Sequence, residues 1–348
     1  MNSLNSNSLT RIVTATILAL SVAACGSSGS PAPPTTPTTP TTPPPPTTPA
    51  NTWSAAGRIV TLGTTQGVGG ATVTPGWSLA AVTADGQGNY LLGDVPNPPS
   101  TPYPVTVSAA GMISHDVWIT WARGPRTGVN VDLIRNAAPF SMDFYQQLVR
   151  DGYDKSDGYP WRTLRWTSAP SFYVKTVDQN GRAVEPEVLA VTLDALRRAV
   201  PAWTANTYTA AAIETGTETR EAPPGWINVL FRRDPNMRSI CGQAFIGRVP
   251  GEITLWEDVC SCGSVKVPGS LTLHEVGHAM GFFHVSDRNS VMYPFIPGDC
   301  RAGALSAAES YHAGVAYSRP RGNTDPDKDP FTAGTLAATS MSGGPLVR

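Results

Sequence analysis

The sequence predicts an α+β protein, in which a small antiparallel β-sandwich precedes a larger domain that combines a mixed twisted sheet with helices. Three observations lead to this prediction. Residues 52–135 contain short β-type runs separated by turn signals, with no helical period. Residues 186–204 place apolar side chains at helical spacing. Residues 274–284 read His-Glu-Val-Gly-His-Ala-Met-Gly-Phe-Phe-His, in which two histidines four positions apart share one helix face.

The size and charge of the chain limit its function classes. It has 348 residues and a formal net charge of −1, from 25 basic and 26 acidic side chains. That length favours two folded units. Because there is no basic excess, we expect no nucleic-acid partner.

The N-terminal 25 residues have the features of an export signal. Arg11 precedes a mostly apolar run, residues 12–20, which is too short to span a membrane. Val22-Ala23-Ala24-Cys25 resembles the lipobox of bacterial lipoproteins, which implies that Cys25 becomes the lipidated first residue of a membrane-anchored protein. An ordinary signal peptide with a chance cysteine is the alternative. Gly26, rather than Asp, follows Cys25, and by resemblance to Gram-negative sorting this implies the bacterial cell envelope, at the outer membrane.

Residues 26–51 are predicted to form a linker. Residues 31–50 contain only Pro, Thr and Ala, a composition that cannot form a core and favours extended polyproline II. At about 3.1 Å per residue this stretch would reach roughly 60 Å. Its position directly after the lipobox favours a spacer that lifts the folded domains off a membrane, rather than an inert tail.

The β-sandwich is predicted over residues 52–135. Its expected strands are 57–61, 71–74, 79–83, 89–92, 105–109, 117–120 and 129–133. Regular short strands with such turns are typical of antiparallel sandwiches. Residues 83–90 together with 103–111 resemble the carboxypeptidase regulatory-like, transthyretin-like domains, which implies an accessory or docking role. His115 and Asp116 are adjacent here, and we interpret this pair as surface residues.

Residues 138–318 are assigned to the larger domain. Residues 172–177 and 226–231 are predicted strands, and the apolar stripe of the helix at 186–204 belongs to the core. Ser306 and Glu309 form a capping box that opens a last helix.

Two further predictions concern the C-terminal part of the chain. His312, on the last helix, is interpreted as structural. Residues 319–348 are rich in Gly, Pro, Asp, Ser and Thr and are predicted to be a poorly ordered tail. Asp325, Asp327 and Asp329 offer oxygen ligands suited to calcium, but oxygen ligands alone do not specify a site.

The histidine motif predicts a catalytic zinc site. His274 and His278 lie one helical turn apart, so two neutral imidazoles can bind one zinc ion. Gly281 can end the helix in a left-handed conformation, after which His284 returns as a third ligand. Glu275 projects beside the metal, which suits a general base acting on the attacking water. A fourth position stays open, as catalytic zinc requires.

The H-E-x-x-H-x-x-G-x-x-H pattern resembles the signature of the metzincin clan of zinc endopeptidases at every fixed position. Met292, within Ser-Val-Met-Tyr-Pro at 290–294, resembles the methionine turn of that clan, and the run that leads to it is similar to the matrixin-like branch. The resemblance implies a zincin catalytic domain, one catalytic Zn²⁺, Glu275 as general base and a protein or peptide substrate. It also implies that an edge strand within 243–256 pairs with extended substrate, and that residues 293–296 line a substrate pocket.

The chain also departs from these relatives. Only His115 and His312 lie outside the motif, so we expect no second, structural zinc of the matrixin type. No cysteine motif precedes the catalytic region, so we expect no cysteine switch. Tyr293 directly follows Met292, whereas the ligand tyrosine of astacin-like relatives comes two residues after the methionine. We therefore do not assign Tyr293 as a ligand.

The four cysteines besides Cys25 predict disulfides, because an even number in an exported protein favours pairing. Cys260 and Cys262 are too close in sequence to pair with each other. This leaves Cys241–Cys260 with Cys262–Cys300, which we slightly prefer, or Cys241–Cys262 with Cys260–Cys300. A cysteine zinc site is the competing interpretation, but the Cys-x-x-Cys spacing is absent. We hypothesise that the disulfides replace the structural metal of matrixins.

The sequence thus favours a zinc-dependent endopeptidase tethered to a bacterial membrane. The alternative is a surface-tethered adhesion or glycan-binding lipoprotein with an inactive or secondary peptidase domain. A zinc hydrolase that acts on a non-peptide bond is a third interpretation. A binding protein should tolerate loss of zinc and of Glu275, whereas a peptidase should not.

Overall fold

The computed structural model describes residues 52–76, 79–96, 102–119, 125–155, 161–234, 236, 239–257, 259–262, 265–295, 303–331 and 346–347. All of them belong to one compact unit. The expected signal region, Cys25, Cys300 and the whole of the expected linker lie outside the described residues. Within this part of the chain, no helix combines the length and hydropathy that a membrane span requires.

Eight strands form two four-stranded sheets in the N-terminal part of the described chain. They are β1 (Thr52–Thr61), β2 (Thr72–Pro75), β3 (Val82–Thr83), β4 (Asn89–Pro96), β5 (Tyr103–Ser108), β6 (His115–Ile119), β7 (Pro125–Arg126) and β8 (Val131–Leu133). One sheet has the order β4-β1-β7, with β8 also paired to β1, and the other has the order β3-β2-β5-β6. Each predicted strand of this region overlaps an observed strand, which confirms the β-type prediction.

The two sheets share one apolar core. Side chains alternate along β5, where Tyr103, Val105 and Val107 are buried and the residues between them are partly exposed. These three pack in the same buried cluster as Ile59 on β1 and Leu133 on β8. Since successive strand residues point to opposite faces, this alternation predicts one buried face for each sheet.

The prediction of a purely antiparallel sandwich is wrong for the first sheet. β1 pairs antiparallel with β4, but it pairs parallel with β7 and with β8. The strand before β7 and β8 is β6, which lies in the other sheet. The chain therefore crosses from the second sheet to the first between β6 and β7. Such a crossover lets β7 and β8 pair parallel with β1, which a tight hairpin does not allow.

A six-stranded mixed sheet and four helices form the larger part of the described residues. The elements are α1 (Met142–Arg150), β9 (Ser171–Lys175), α2 (Pro186–Trp203), β10 (Ala212–Gly216), β11 (Trp226–Arg232), β12 (Gly242–Ala244), β13 (Gly251–Trp256), β14 (Ser261–Cys262), β15 (Val265–Lys266), α3 (Gly269–Ala279), α4 (Ala307–Ser318) and β16 (Leu346–Val347). The sheet order is β10-β9-β11-β13-β12-β16. The first four strands run parallel, and β12 is antiparallel to both of its neighbours. The expected mixed sheet with helices is confirmed.

The local sequence explains why the two central helices form. α2 begins with Pro186, which suits the first turn of a helix, and buries one face that includes Leu196, Val200 and Trp203. α3 is buried at every residue from Leu271 to Ala279. A helix that is buried on all sides is typical of a domain centre. α3 accordingly contacts α2 on one side and β12 and β13 on the other.

The segment after α4 is packed against the sandwich, contrary to the predicted poorly ordered tail. Arg319, Asn323 and Asp327 are buried, and Arg319 donates to both carboxylate oxygens of Asp327 at 2.7 Å. Trp118 on β6 donates from Nε1 to the Asp329 carbonyl at 2.9 Å. The charged side chains stabilise this segment through partners far away in sequence, so its composition gave no sign of order. Residues 332–345 of the predicted tail lie outside the described residues.

Candidate metal centre

Three imidazoles converge at the end of α3. His274 and His278 lie on one face of the helix, with ring centroids 4.6 Å apart. The ring of His284 is 5.3 Å from that of His274 and 4.7 Å from that of His278. All three side chains are buried, and one ligand atom from each lies within 4.8 Å of the others. The structure thus brings together all three histidines that the sequence selects.

In each ring the hydrogen-bond partner of Nδ1 fixes the tautomer. Nδ1 of His274 is 2.6 Å from the Val291 carbonyl oxygen, and Nδ1 of His278 is 2.8 Å from that of Phe282. Nδ1 of His284 is 2.6 Å from Oδ2 of Asp154. Carbonyl and carboxylate oxygens only accept, so each Nδ1 carries the proton and each Nε2 presents a lone pair.

A cation would stabilise these converging lone pairs. The Nε2 atoms of His278 and His284 are only 3.1 Å apart, and Nε2 of His274 has no hydrogen-bond partner among the described residues. Burial and the neighbouring imidazoles lower the pKa of His274 to about 3 and lower that of His278, so both rings are neutral at pH 7. Neutral imidazoles with Nε2 free and Nδ1 held are the donor set that zinc binds, so the residues fit this metal.

The chain reaches His284 through a tight turn. Gly281 has φ of +107°, and a Cβ there would lie 2.8 Å from the backbone of Leu164, so both conformation and space require glycine. The loop then bonds to α1, because the Phe283 N–H donates to the Leu148 carbonyl at 2.8 Å. α1 thereby fixes the position from which the His284 ring turns back toward α3.

Asp154 is a site residue that the sequence did not indicate. It lies 130 positions from His284, in the segment after α1, and no local pattern marks it. Its side chain is 30% exposed, whereas that of His284 is 3% exposed. Carboxylates that accept from a ligand histidine orient the ring and raise its basicity.

We predict that Asp154→Ala lowers zinc affinity or turnover by about 10- to 100-fold. The His284 ring would lose the acceptor that fixes its tautomer and orientation. Zinc affinity measured by competition with a chromophoric chelator checks this expectation. Asp194→Ala, which removes an exposed carboxylate on α2, is the matched control and should leave zinc affinity unchanged.

Glu275 is fully buried beside the triad. Neither carboxylate oxygen has a hydrogen-bond partner among the described residues, and burial raises the pKa of Glu275 well above its usual range. The first residue of β12 lies directly against this carboxyl group, because a Cβ at Gly242 would be 2.2 Å from Oε1. A buried carboxyl group without hydrogen-bond partners is a functional-site feature, since structure alone would not favour it.

Met292 lies beneath the helix that carries His274 and His278. It is fully buried, and a Cβ at Gly277 would be 2.7 Å from its sulfur. The turn is held by Glu309, whose Oε1 accepts from Ser290 Oγ at 2.5 Å and from the Met292 N–H at 3.0 Å. The other oxygen, Oε2, accepts from the Ser306 N–H at 2.7 Å. The predicted capping box of α4 is confirmed, and its glutamate also fixes the Met292 turn.

The structure contains one of the predicted disulfides. Cys241 and Cys260 are bonded, with their Cα atoms 5.3 Å apart and a sequence separation of 19. This excludes the alternative pairing of Cys241 with Cys262. A loop of this size contributes about 3 kcal/mol of stability by the chain-entropy argument. Cys241 directly precedes β12, so the bond fixes the strand that touches Glu275. The expected partner of Cys262, Cys300, lies outside the described residues.

The remaining histidines have separate environments. His312 accepts at Nε2 from the Ser141 N–H at 2.9 Å and lies 2.7 Å, at Nδ1, from the Ala308 carbonyl oxygen. These contacts agree with its structural interpretation, because they join α4 to the start of α1. His115 is 5% exposed, so its interpretation as a surface residue is wrong.

The residues around the Met292 turn have different roles. Asp287 accepts at Oδ1 from the Asn289 N–H at 2.9 Å, which orders the loop after His284. Phe295 is 47% exposed and its ring lies 5.6 Å from that of Tyr293. These two rings fall within the expected pocket wall, and Ile296 lies outside the described residues.

Comparison with known proteins gives a family match over part of the chain. The matrixin peptidase family matches residues 266–310, from β15 through α3 and the Met292 turn into α4. Over this stretch the chain is similar to a family of zinc-dependent peptidases. The matched stretch contains the three histidines, Glu275 and Met292, whereas Asp154 and Gly242 lie outside it. No curated protein sequence matches the chain.

The similarity of the chain to solved structures is low. Metalloproteinase-II from Bacteroides fragilis is 13% identical, with a TM-score of 0.30, over 66% of this chain and 78% of that one. Two interface mutants of a type II cohesin–X-dockerin complex from Acetivibrio cellulolyticus are 16% and 18% identical, each with a TM-score of 0.18 over 23% of this chain. The chain spans 55% of the length of those cohesin-complex chains. The interpretation of the site therefore depends on its own geometry and on the matrixin match.

Proposed function

We propose that the protein is a zinc-dependent endopeptidase that hydrolyses peptide bonds of proteins or peptides. The observation that carries this proposal is the convergence of three buried imidazole Nε2 lone pairs beside the buried, unsatisfied carboxyl group of Glu275. The matrixin match over the same residues supports it. His274, His278 and His284 would bind the metal.

Each residue of the centre has a distinct role in the reaction. Zinc, when bound, polarises the scissile carbonyl and lowers the pKa of water. Glu275 takes a proton from the attacking water while the water oxygen forms a bond to the carbonyl carbon. Glu275 then gives that proton to the leaving nitrogen as the C–N bond breaks. Asp154 holds the His284 ring in place.

Hydrolysis in ¹⁸O-water tests the proposed reaction. The full chain, incubated with an unfolded protein, should create new N-termini and place the label in the new carboxyl groups, as read by mass spectrometry of the products. If the unfolded protein stayed intact while a chromogenic ester was hydrolysed, a hydrolase of non-peptide bonds would be favoured instead.

We propose that substrate pairs with β12, the strand that the outer strand β16 covers in the described sheet, so the expected edge strand within 243–256 is not an edge there. β12 starts at Gly242, against Glu275, so a peptide paired with it would pass close to the carboxyl group. Main-chain pairing with an exposed edge binds extended peptides of many sequences. In the structure this edge pairs antiparallel with β16, with Val347 opposite Gly242 and Leu346 opposite Gln243. A substrate on the same edge would have to displace β16.

Weakening β16 should therefore improve substrate binding. We predict that Leu346→Pro with Val347→Pro lowers KM for an unfolded protein roughly 3- to 10-fold, with kcat unchanged, because proline cannot donate to the strand ladder. Steady-state kinetics measure both constants, and Leu346→Ala with Val347→Ala is the control that keeps the backbone donors. An unchanged KM in the proline variant would place substrate elsewhere.

We also propose that Cys25 carries a lipid anchor that tethers the enzyme to a bacterial cell envelope, at the outer membrane. The lipobox-like run and the Pro/Thr-rich stretch that follows it support this proposal. Cys25→Ser should abolish incorporation of labelled palmitate and release the chain from the membrane fraction. Retention of the label in that variant would contradict the assignment.

A further inference from the structure

A second cluster of ligand atoms lies where the sandwich meets the segment after α4. His115 is on β6, and Asp327 and Asp329 follow α4 in the chain. Nε2 of His115 lies 3.3 Å from Oδ1 of Asp329 and 3.7 Å from Oδ1 of Asp327. The side chains of His115 and Asp327 are 6% and 1% exposed. One ligand atom from each residue lies within 4.8 Å of the other two.

The His115 ring presents a lone pair to the two carboxylates. Its Nδ1 lies 3.0 Å from the Asp132 carbonyl oxygen, an atom that only accepts, so Nδ1 carries the proton of the neutral ring. Its Nε2 is buried and forms no hydrogen bond among the described residues. The arrangement repeats that of the triad, in which an acceptor holds Nδ1 and leaves Nε2 to bind.

Polar contacts hold both carboxylates in place. Arg319 donates from Nε to Oδ1 of Asp327 and from a terminal nitrogen to Oδ2, each at 2.7 Å. Nδ2 of Asn323 donates to Oδ1 of Asp327 at 2.9 Å and to Oδ1 of Asp329 at 3.0 Å. Outer contacts of this kind orient the ligands of a metal site.

Two buried guanidinium groups border the cluster. Arg319 pairs with Asp132 as well as with Asp327, and Arg150 donates to Oδ1 of Asn323 at 2.7 Å. The nearby Lys328 lies against Asp116 instead, at 3.9 Å.

We propose that His115, Asp327 and Asp329 bind a second zinc ion, which joins the sandwich to the segment after α4. One imidazole and two carboxylates are a donor set that Zn²⁺ accepts, whereas Ca²⁺ takes six to eight oxygens. Ligands about 2.0–2.2 Å from zinc lie roughly 3.4 Å apart in a tetrahedron, close to the observed separations from Nε2. This site is separate from the triad, so the inference does not depend on the proposed function.

Zinc counting on the full chain tests this inference. Each variant is stripped with a chelator, loaded with Zn²⁺, desalted and analysed by plasma mass spectrometry. The natural chain should retain about two zinc ions, and His115→Ala and His278→Ala about one each. The double variant should retain none. Asp116→Asn removes the neighbouring carboxylate that faces Lys328 and should still retain two.

A second variant and a second readout distinguish loss of the site from misfolding. Asp329→Asn is isosteric and partly exposed, and it should also lose one ion. Zinc should raise the Tm of His278→Ala but not that of the double variant. If His278→Ala retains no zinc, or if His115→Ala and Asp329→Asn lose none, the inference is overturned, and His115 is an imidazolium paired with Asp329.

Discussion

Glu275→Gln should lower kcat about 10²- to 10⁴-fold while zinc content stays unchanged. The amide has the shape of the carboxyl group but cannot take a proton from water. Glu275 makes no hydrogen bond to any described residue, so the substitution breaks no contact on which the fold depends. The loss should therefore appear in turnover, measured on an unfolded protein substrate, and not in Tm.

A matched variant separates this effect from a general loss of charge. Glu187 is exposed in the first turn of α2, and Glu187→Gln removes a carboxylate far from the triad. It should retain full activity. Near-normal turnover by Glu275→Gln would show that another group, or none, acts as the base.

His278→Ala should bind one zinc ion less than the natural chain and lose detectable peptidase activity. His278 is fully buried, and its Nε2 lies 3.1 Å from that of His284. Its loss would leave only two of the three imidazoles to bind the metal. At a zinc concentration about one hundred times Kd, lost binding removes about 2.7 kcal/mol of stabilisation. That corresponds to a Tm lower by roughly 5–10 °C.

Comparison in a His115→Ala background isolates the triad from the second proposed site. In that background zinc should raise the Tm of the chain with an intact triad, and it should not raise that of His278→Ala. His312→Gln alters another buried histidine, one whose ring nitrogens contact Ser141 and Ala308, and should keep the full zinc content. An equal zinc content in His278→Ala and the natural chain would place the metal elsewhere.

The candidate metal-binding residues could be predicted because they are local. His274, Glu275 and His278 lie within two turns of one helix, and Gly281 and His284 follow at once, so spacing alone indicates a shared face and a return. Asp154 could not be predicted, because it meets His284 across 130 positions and its surroundings carry no motif. A contact that the fold creates between distant segments leaves no periodic signal in the sequence.

The same distinction explains the fold. The β-type runs of the sandwich were predicted, but the parallel pairing of β1 with β8 was not, because a strand pattern does not encode the direction of its partner. α1 had a usable signal, since Ser141 is its N-cap and Tyr145, Leu148 and Val149 are buried at helical spacing. The order of residues 319–331 depends on the pairing of Arg319 with Asp132, which composition cannot show.

The most direct test of a zinc peptidase centre at the triad is cleavage of an unfolded protein by four samples of the full chain. These are the natural chain, the chain stripped by a chelator, the stripped chain with zinc restored, and Glu275→Gln. If the triad is a zinc peptidase centre, only the first and third samples should cleave the substrate. Cleavage that persists after stripping, or in Glu275→Gln, would contradict it.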